Sequence, residues 1–189
     1  MNLKDLLLEK RAAVVKRWFD MILESYPADT SGFMKSQKDP FTNPVGRTIH
    51  QGMEGILDEL LKGEGDTGIS VLLDDIIRIR AVQDFTPSKA LAFIFLLKSA
   101  VREELGPDGC ADRTLAGDLL KFESRIDGMA LLAFDIYMGC REKLYDIKVN
   151  ETKRLMFRLL QQANLFTETQ ESDTKESNLM DIKRKEAAQ

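Results

Sequence analysis

The sequence predicts an all-α protein, and three observations carry that expectation. Apolar residues recur at spacings of three and four along nearly every segment, which is the signature of one buried helix face. The 5 prolines, 12 glycines and 7% aromatics are ordinary for a helical soluble chain. Between Arg113 and Asn164 there is no proline and the only glycines are Gly117, Gly128 and Gly139, so nothing in that stretch forces a helix to stop. At 189 residues the chain suits one domain with or without an appendage. A domain of this size buries about 70% of its unfolded surface and needs neither metal nor disulfide to hold it.

The elements follow in order. Asn2 can cap a first helix over Leu3 to Glu24 whose inward set is Leu3, Leu7, Val14, Trp18 and Ile22. Ser25-Tyr26-Pro27 ends it, because the residue before a proline is pushed out of helical geometry. Thr30-Ser31 can cap a short turn reaching Ser36, and Asp39 to Gly46 reads as a structured loop anchored by Phe41 and Val45. A second long helix, Val45 to Lys62, presents Ile49, Met53, Ile56, Leu57 and Leu60. A third, Ile69 to Val82, is read with Val71, Leu72, Ile76 and Ile79 inward. Thr86-Pro87 is a capping hydroxyl followed by proline at the first helical position. The helix it opens is apolar over much of its circumference through Leu97, which predicts a place in the middle of the fold. Gly106-Pro107-Asp108-Gly109 ends that helix.

The last helix is too long for the body. About 50 residues give roughly 75 Å at 1.5 Å per residue. A compact domain of about 165 residues has a radius of gyration near 15 Å, hence a diameter of roughly 40 Å. The expectation is a helical body at residues 1–140, a projecting dimerisation helix at 141–166 and a polar, disordered tail at 167–189. Met129 to Met138 is nearly all apolar and is read as buried on all sides. Beyond it, Leu144, Ile147, Leu155, Met156, Leu159 and Leu160 form an apolar stripe among many charges. Pairing with a second copy would bury that stripe, which predicts a homodimer.

Several functions are excluded at this level. No apolar stretch approaches the roughly 18 residues of a membrane span. The N-terminus MNLKDLLLEKR carries charges within its leucines and is no secretory signal, so a cytoplasmic location with Cys110 and Cys140 as free thiols is expected. The net charge of −4 argues against a nucleic-acid partner.

No catalytic signature emerges, and the expectation is a chain that is not an enzyme and has no catalytic, cofactor or metal residues. His50 is the only histidine, so zinc, iron or Cys-His chemistry lacks partners nearby in sequence. Asp74/Asp75 and Glu103/Glu104 are adjacent pairs, and neighbours on a helix point about 100° apart, which does not make an acid-base dyad. Arg47, Arg78 and Arg80, with His50, are the candidates for an anion or ligand contact if they converge. Gly63-x-Gly65-x-x-Gly68 has dinucleotide-loop spacing but lies between helices, where the motif has no meaning. Arg141 to Arg158 is rich in bases, and the solvated face of a projecting helix explains that richness.

Three groups of segments occur together. They are Arg17-Trp18-Phe19 with Ser25-Tyr26-Pro27 and Asp39-Pro40-Phe41-Thr42-Asn43-Pro44-Val45-Gly46; Ile77 to Ala90, IRIRAVQDFTPSKA from Ile77 onward; and Phe122-Glu123-Ser124-Arg125-Ile126-Asp127 with Phe134-Asp135-Ile136-Tyr137. In this order they resemble the N-terminal domain of the RsbR/RsbRD co-antagonist family of bacterial stress regulators, over about residues 1–165. The resemblance implies a globin-like helical bundle that senses, dimerises and binds no haem. In such regulators the last helix leads into a STAS domain that meets a switch kinase. Here only a short tail follows, so the chain looks like a stand-alone version. The residues Arg80 to Phe85, where a haem globin would place its axial ligand, offer no usual one, and haem is not expected. The resulting expectation is a regulatory module that signals to a protein partner through dimeric helix packing. The alternative is an adaptor or assembly factor for a respiratory redox complex.

Overall fold

The computed structural model describes residues 2–26, 31–32, 43–63, 67–83 and 85–163. Among them run six helices: α1 Leu3–Glu9, α2 Arg11–Glu24, α3 Pro44–Lys62, α4 Thr67–Val82, α5 Pro87–Ala111 and α6 Arg113–Gln162. No strand occurs among the described residues. The fold is all-α with a long C-terminal helix. Residues 31 and 32 are helical, but the rest of the expected short helix after Thr30, the first half of the expected loop from Asp39, the tail and the Cys110 side chain lie outside the described residues, and Pro44 to Gly46, expected in that loop, already belong to α3.

Contacts divide the chain into Met1–Glu142 and Lys143–Gln189, with the boundary inside α6. In the first unit, every member of the expected stripe on α3 is buried: Ile49, Met53, Ile56, Leu57 and Leu60. The start of α3 is fixed locally. Asn43 accepts a hydrogen bond from the Gly46 amide at 2.9 Å, and Pro44 occupies the first turn, where it has no amide to waste. Helices α3 and α4 approach closely at Gly52, where a Cβ would stand 2.8 Å from Ile76 Cδ1.

Several expectations are corrected. The first helix is two, because Lys10 at φ −91° and ψ 7° interrupts it. Asn2 still caps α1, accepting from the Asp5 amide at 2.8 Å, and all five expected inward residues are buried. Arg11, just after the break, forks onto Asp58 of α3 at 2.6 and 2.9 Å. In α4 the register differs in part: Ile76 is buried as expected, but Val71 is 64% exposed, Leu72 and Ile79 are only half-buried, and Leu73 and Ile77 are buried instead. The apolar run there is nearly continuous, so periodicity alone does not choose a face. Helix α5 is not central, since Phe95 is 49% exposed. Nor is Met129–Met138 buried on all sides: Leu131 is 72% exposed, and Phe134 and Met138 are about half exposed. The expected terminator of α5 acts only in part: Gly106 takes φ 71° and ψ 176°, a backbone that breaks the regular helix and favours glycine, but residues 107–109 are helical again and the element runs on to Ala111.

Candidate functional site

Helix α5 has two faces. Ala90, Phe93, Ile94, Leu97, Ala100 and Val101, at spacings of three and four or their neighbours, are buried. Helix α2 supplies their main partner: Trp18 is fully buried, its ring stacks on Phe93 at 6.4 Å, and its Nε1 donates to the Phe93 carbonyl at 2.6 Å. The opposite side of α5 carries Ser88, Ala92 and Phe95, all exposed.

The first-unit part of α6 repeats this division. Leu115, Leu119, Phe122, Ile126, Met129, Ala133 and Tyr137 are buried, and Leu131, Phe134 and Met138 are exposed beside them. Ion pairs join the two helices. Arg102 forks onto the buried Glu123 at 2.6 and 2.8 Å, and Lys98 reaches Asp127 at 2.6 Å. Between the outer sides lies an open groove lined by Pro87, Ser88, Leu91, Ala92, Phe95, Asp127, Ala130, Leu131 and Phe134. Its wall is almost wholly apolar, with Ser88 and Asp127 the polar exceptions. A groove of apolar side chains open to solvent marks an interaction face more often than a catalytic one.

In the second unit, taken by itself, the expected stripe is on the surface. Ile147, Leu155, Met156 and Leu159 are more than half exposed, while Leu144 and Leu160 are half-buried. Tyr145 and Val149 are exposed there too. Within the first unit Leu131, Phe134 and Met138 recur at steps of three and four residues, and within the second Tyr145, Val149, Met156 and Leu159 at steps of four, seven and three, each by itself the repeat of a helix seam. Leu131, Phe134 and Met138 were missed from sequence because an apolar run reads as core. Their signal is that each directly follows a position of the buried stripe, Ala130, Ala133 or Tyr137.

The four candidate ligand contacts are not brought together. Arg47 is exposed on α3. His50, also on α3, meets the Phe19 ring edge-on at 5.2 Å and lies 3.8 Å from Glu54. Arg78 pairs with Asp74, one turn earlier, at 2.6 Å on an exposed face. Arg80, two residues on, points some 200° away and is 1% exposed. It donates from Nε to the Ala90 carbonyl at 2.9 Å, from Nη2 to the Lys89 carbonyl at 3.0 Å and from Nη1 to the Tyr26 hydroxyl at 3.1 Å. Its guanidinium carbon stands 4.6 Å from the Phe85 ring centre, 5.2 Å from Tyr26 and 5.6 Å from Phe93. Burial pushes the Arg80 pKa below its ordinary value, and burial raises that of Tyr26 although Arg80 opposes it. Arg80 shares the buried face of Leu73, Ile76 and Ile77, and this phase was the sequence signal for its burial. Glu103 and Glu104 both hold Arg17, at 2.8 and 2.7 Å. Gly63 is the left-handed cap of α3 and Gly68 lies inside α4. No cluster of three potential metal ligands occurs among the described residues, and no helix there is long and apolar enough to cross a membrane.

Two of the segment groups that carry the resemblance meet at Arg80: Ser25 and Tyr26 from the first, Phe85, Lys89 and Ala90 from the second. Comparison with known proteins agrees. An uncharacterized protein of Archaeoglobus fulgidus is 30% identical over 144 residues, which is 75% of this chain and 83% of that protein. No solved structure matches. Residues 12–151 match the RsbT co-antagonist protein rsbRD N-terminal domain. With its all-α fold and three-quarters of its length in that match, the chain belongs to the family of rsbRD N-terminal domains.

Proposed function

We propose that the chain is a cytoplasmic regulatory module of the stress-response co-antagonist kind, which acts by binding protein rather than by catalysis. In this reading two copies pair through the outer sides of α5 and α6, and a signal alters that packing for a further protein partner. A globin-like, haem-free sensor domain is what family membership favours. One observation carries the proposal: the groove between α5 and α6 is apolar, open and flanked by Phe95, Leu131 and Phe134. Large exposed apolar side chains cost solubility unless something covers them. A second copy is the favoured occupant because Met156 and Leu159 of the second unit, taken by itself, also recur at helix-seam spacing and stay exposed.

The test is affinity capture from the native host with the full chain as bait, beside a Phe134→Glu bait. Recovery of a switch kinase or a STAS-domain protein by the native bait, reduced by the variant, is the expected result. Recovery of a respiratory subunit in its place would replace this reading with the adaptor one.

A further inference from the structure

We propose that Arg80 is a positioning residue, whose buried guanidinium sets the place of the first turns of α5 and so the shape of the apolar groove on that helix's outer side. The self-association arm of this inference rests on the interface reading above; the positional arm does not.

Three chain segments end on this one side chain. Tyr26 and Ser25 close α2, Arg80 itself lies in the last turn of α4, and Lys89 and Ala90 belong to the opening turns of α5. The guanidinium donates to Lys89 and Ala90 from two nitrogens at 3.0 and 2.9 Å, to Tyr26 from the third at 3.1 Å, and has Ser25 Oγ at 3.5 Å. Tyr26 in turn donates to Gln83 at 3.2 Å, just past the end of α4. A planar fork fixes direction as well as distance, which a lysine ammonium does not. The Phe85, Tyr26 and Phe93 rings close the remaining sides.

The position of these bonds matters. Carbonyls within a helix already accept an amide from the following turn, so the Arg80 bonds to Lys89 and Ala90 are additional and tie the helix to its surroundings. Leu91 follows Ala90 directly and lines the groove, as do Pro87, Ser88 and Phe95. Any displacement of the Ala90 carbonyl therefore moves the groove wall. The acceptors of Arg80 among the described residues are all neutral. Burying a charge is costly, so removing it loses hydrogen bonds and relieves that cost at once. Overall stability is thus a poor reporter of what Arg80 does, and helix position is a good one.

The experiment compares the full chain with its Arg80→Met and Arg80→Lys variants. Amide hydrogen exchange is read over residues 87–97 of α5 and, as an internal reference, over α3. Dissociation constants come from sedimentation velocity. In Arg80→Met, exchange in the opening turns of α5 is expected to accelerate about tenfold or more with α3 unchanged, and the dissociation constant to rise about tenfold. Arg80→Lys, which keeps charge and reach but loses the fork, should fall between. Unchanged exchange in α5, or equal acceleration in α3, overturns the proposal. If Arg80→Met does not fold, Arg80→Lys and Tyr26→Phe carry the same exchange test. A monomeric native chain overturns the interface reading alone, and the exchange pattern still decides the role of Arg80.

Discussion

The two parts of α6 are built from the same residue types and come to different ends. Before Glu142, its leucines, isoleucine, methionine and aromatics divide into a buried stripe, Leu115 to Tyr137, and an exposed flank. After Lys143, Ile147, Leu155, Met156 and Leu159 are all exposed. Helix propensity does not separate the parts, because the helix is continuous. What separates them is tertiary cover. The first part meets the body through Ile126 and Tyr137 and is pinned by the Arg102–Glu123 fork. An apolar stripe on a helix is therefore a demand for a partner, and the sequence does not say whether that partner is in the same chain.

This contrast can be broken by substitution. The largest effect belongs to the covered part: Ile126→Ala should cost about 2–5 kcal/mol, the range for emptying a packed site, read by chemical denaturation. Next comes the exposed flank. Phe134→Glu should weaken self-association about tenfold or more, about 1.4 kcal/mol, with a melting curve of dilute protein left in place.

What the sequence made legible follows the same line. The stripe of α3 is legible but for Leu61, which is buried beside Leu60, because polar residues mark most of the spaces between its apolar ones. The α4 register was not, since Ile69 to Leu73 and Ile76 to Ile79 leave few polar markers. The break at Lys10 has no glycine or proline to announce it. Leu131 and Phe134 looked like core because composition records apolarity and not cover. Arg80 reads as a candidate anion or ligand contact because arginine is rarely buried. Its phase with Leu73, Ile76 and Ile77 is the signal in the sequence, whereas the aromatic residues around it come together only in space.

A smaller effect sharpens the contrast. Leu155→Ala should change the unfolding free energy of the dilute chain by no more than about 0.5 kcal/mol, as for other surface sites, while Ile126→Ala, the same kind of truncation, is severe. The smallest effect is electrostatic and lies away from α6. The Arg11 fork holds the Asp58 carboxylate below its ordinary pKa. A depressed folded-state pKa gives stability that is present above the unfolded value, about 3.9, and is lost as pH falls through the lower folded value. Because the Asp58 side chain is 39% exposed, screening keeps this contribution to about a few tenths of a kcal/mol. It should appear as a stability difference between native protein and Asp58→Asn that is present near neutrality and closes below about pH 3.9.

The central claim is that the exposed apolar face of α5 and α6 is covered by a second copy. Light scattering of the full chain at micromolar concentration measures this directly. The account predicts a mass of twice the 21.4 kDa chain for the native protein, falling to the single-chain value when Phe134→Glu and Leu159→Glu are combined. A native protein that scatters as a single 21.4 kDa chain would contradict it.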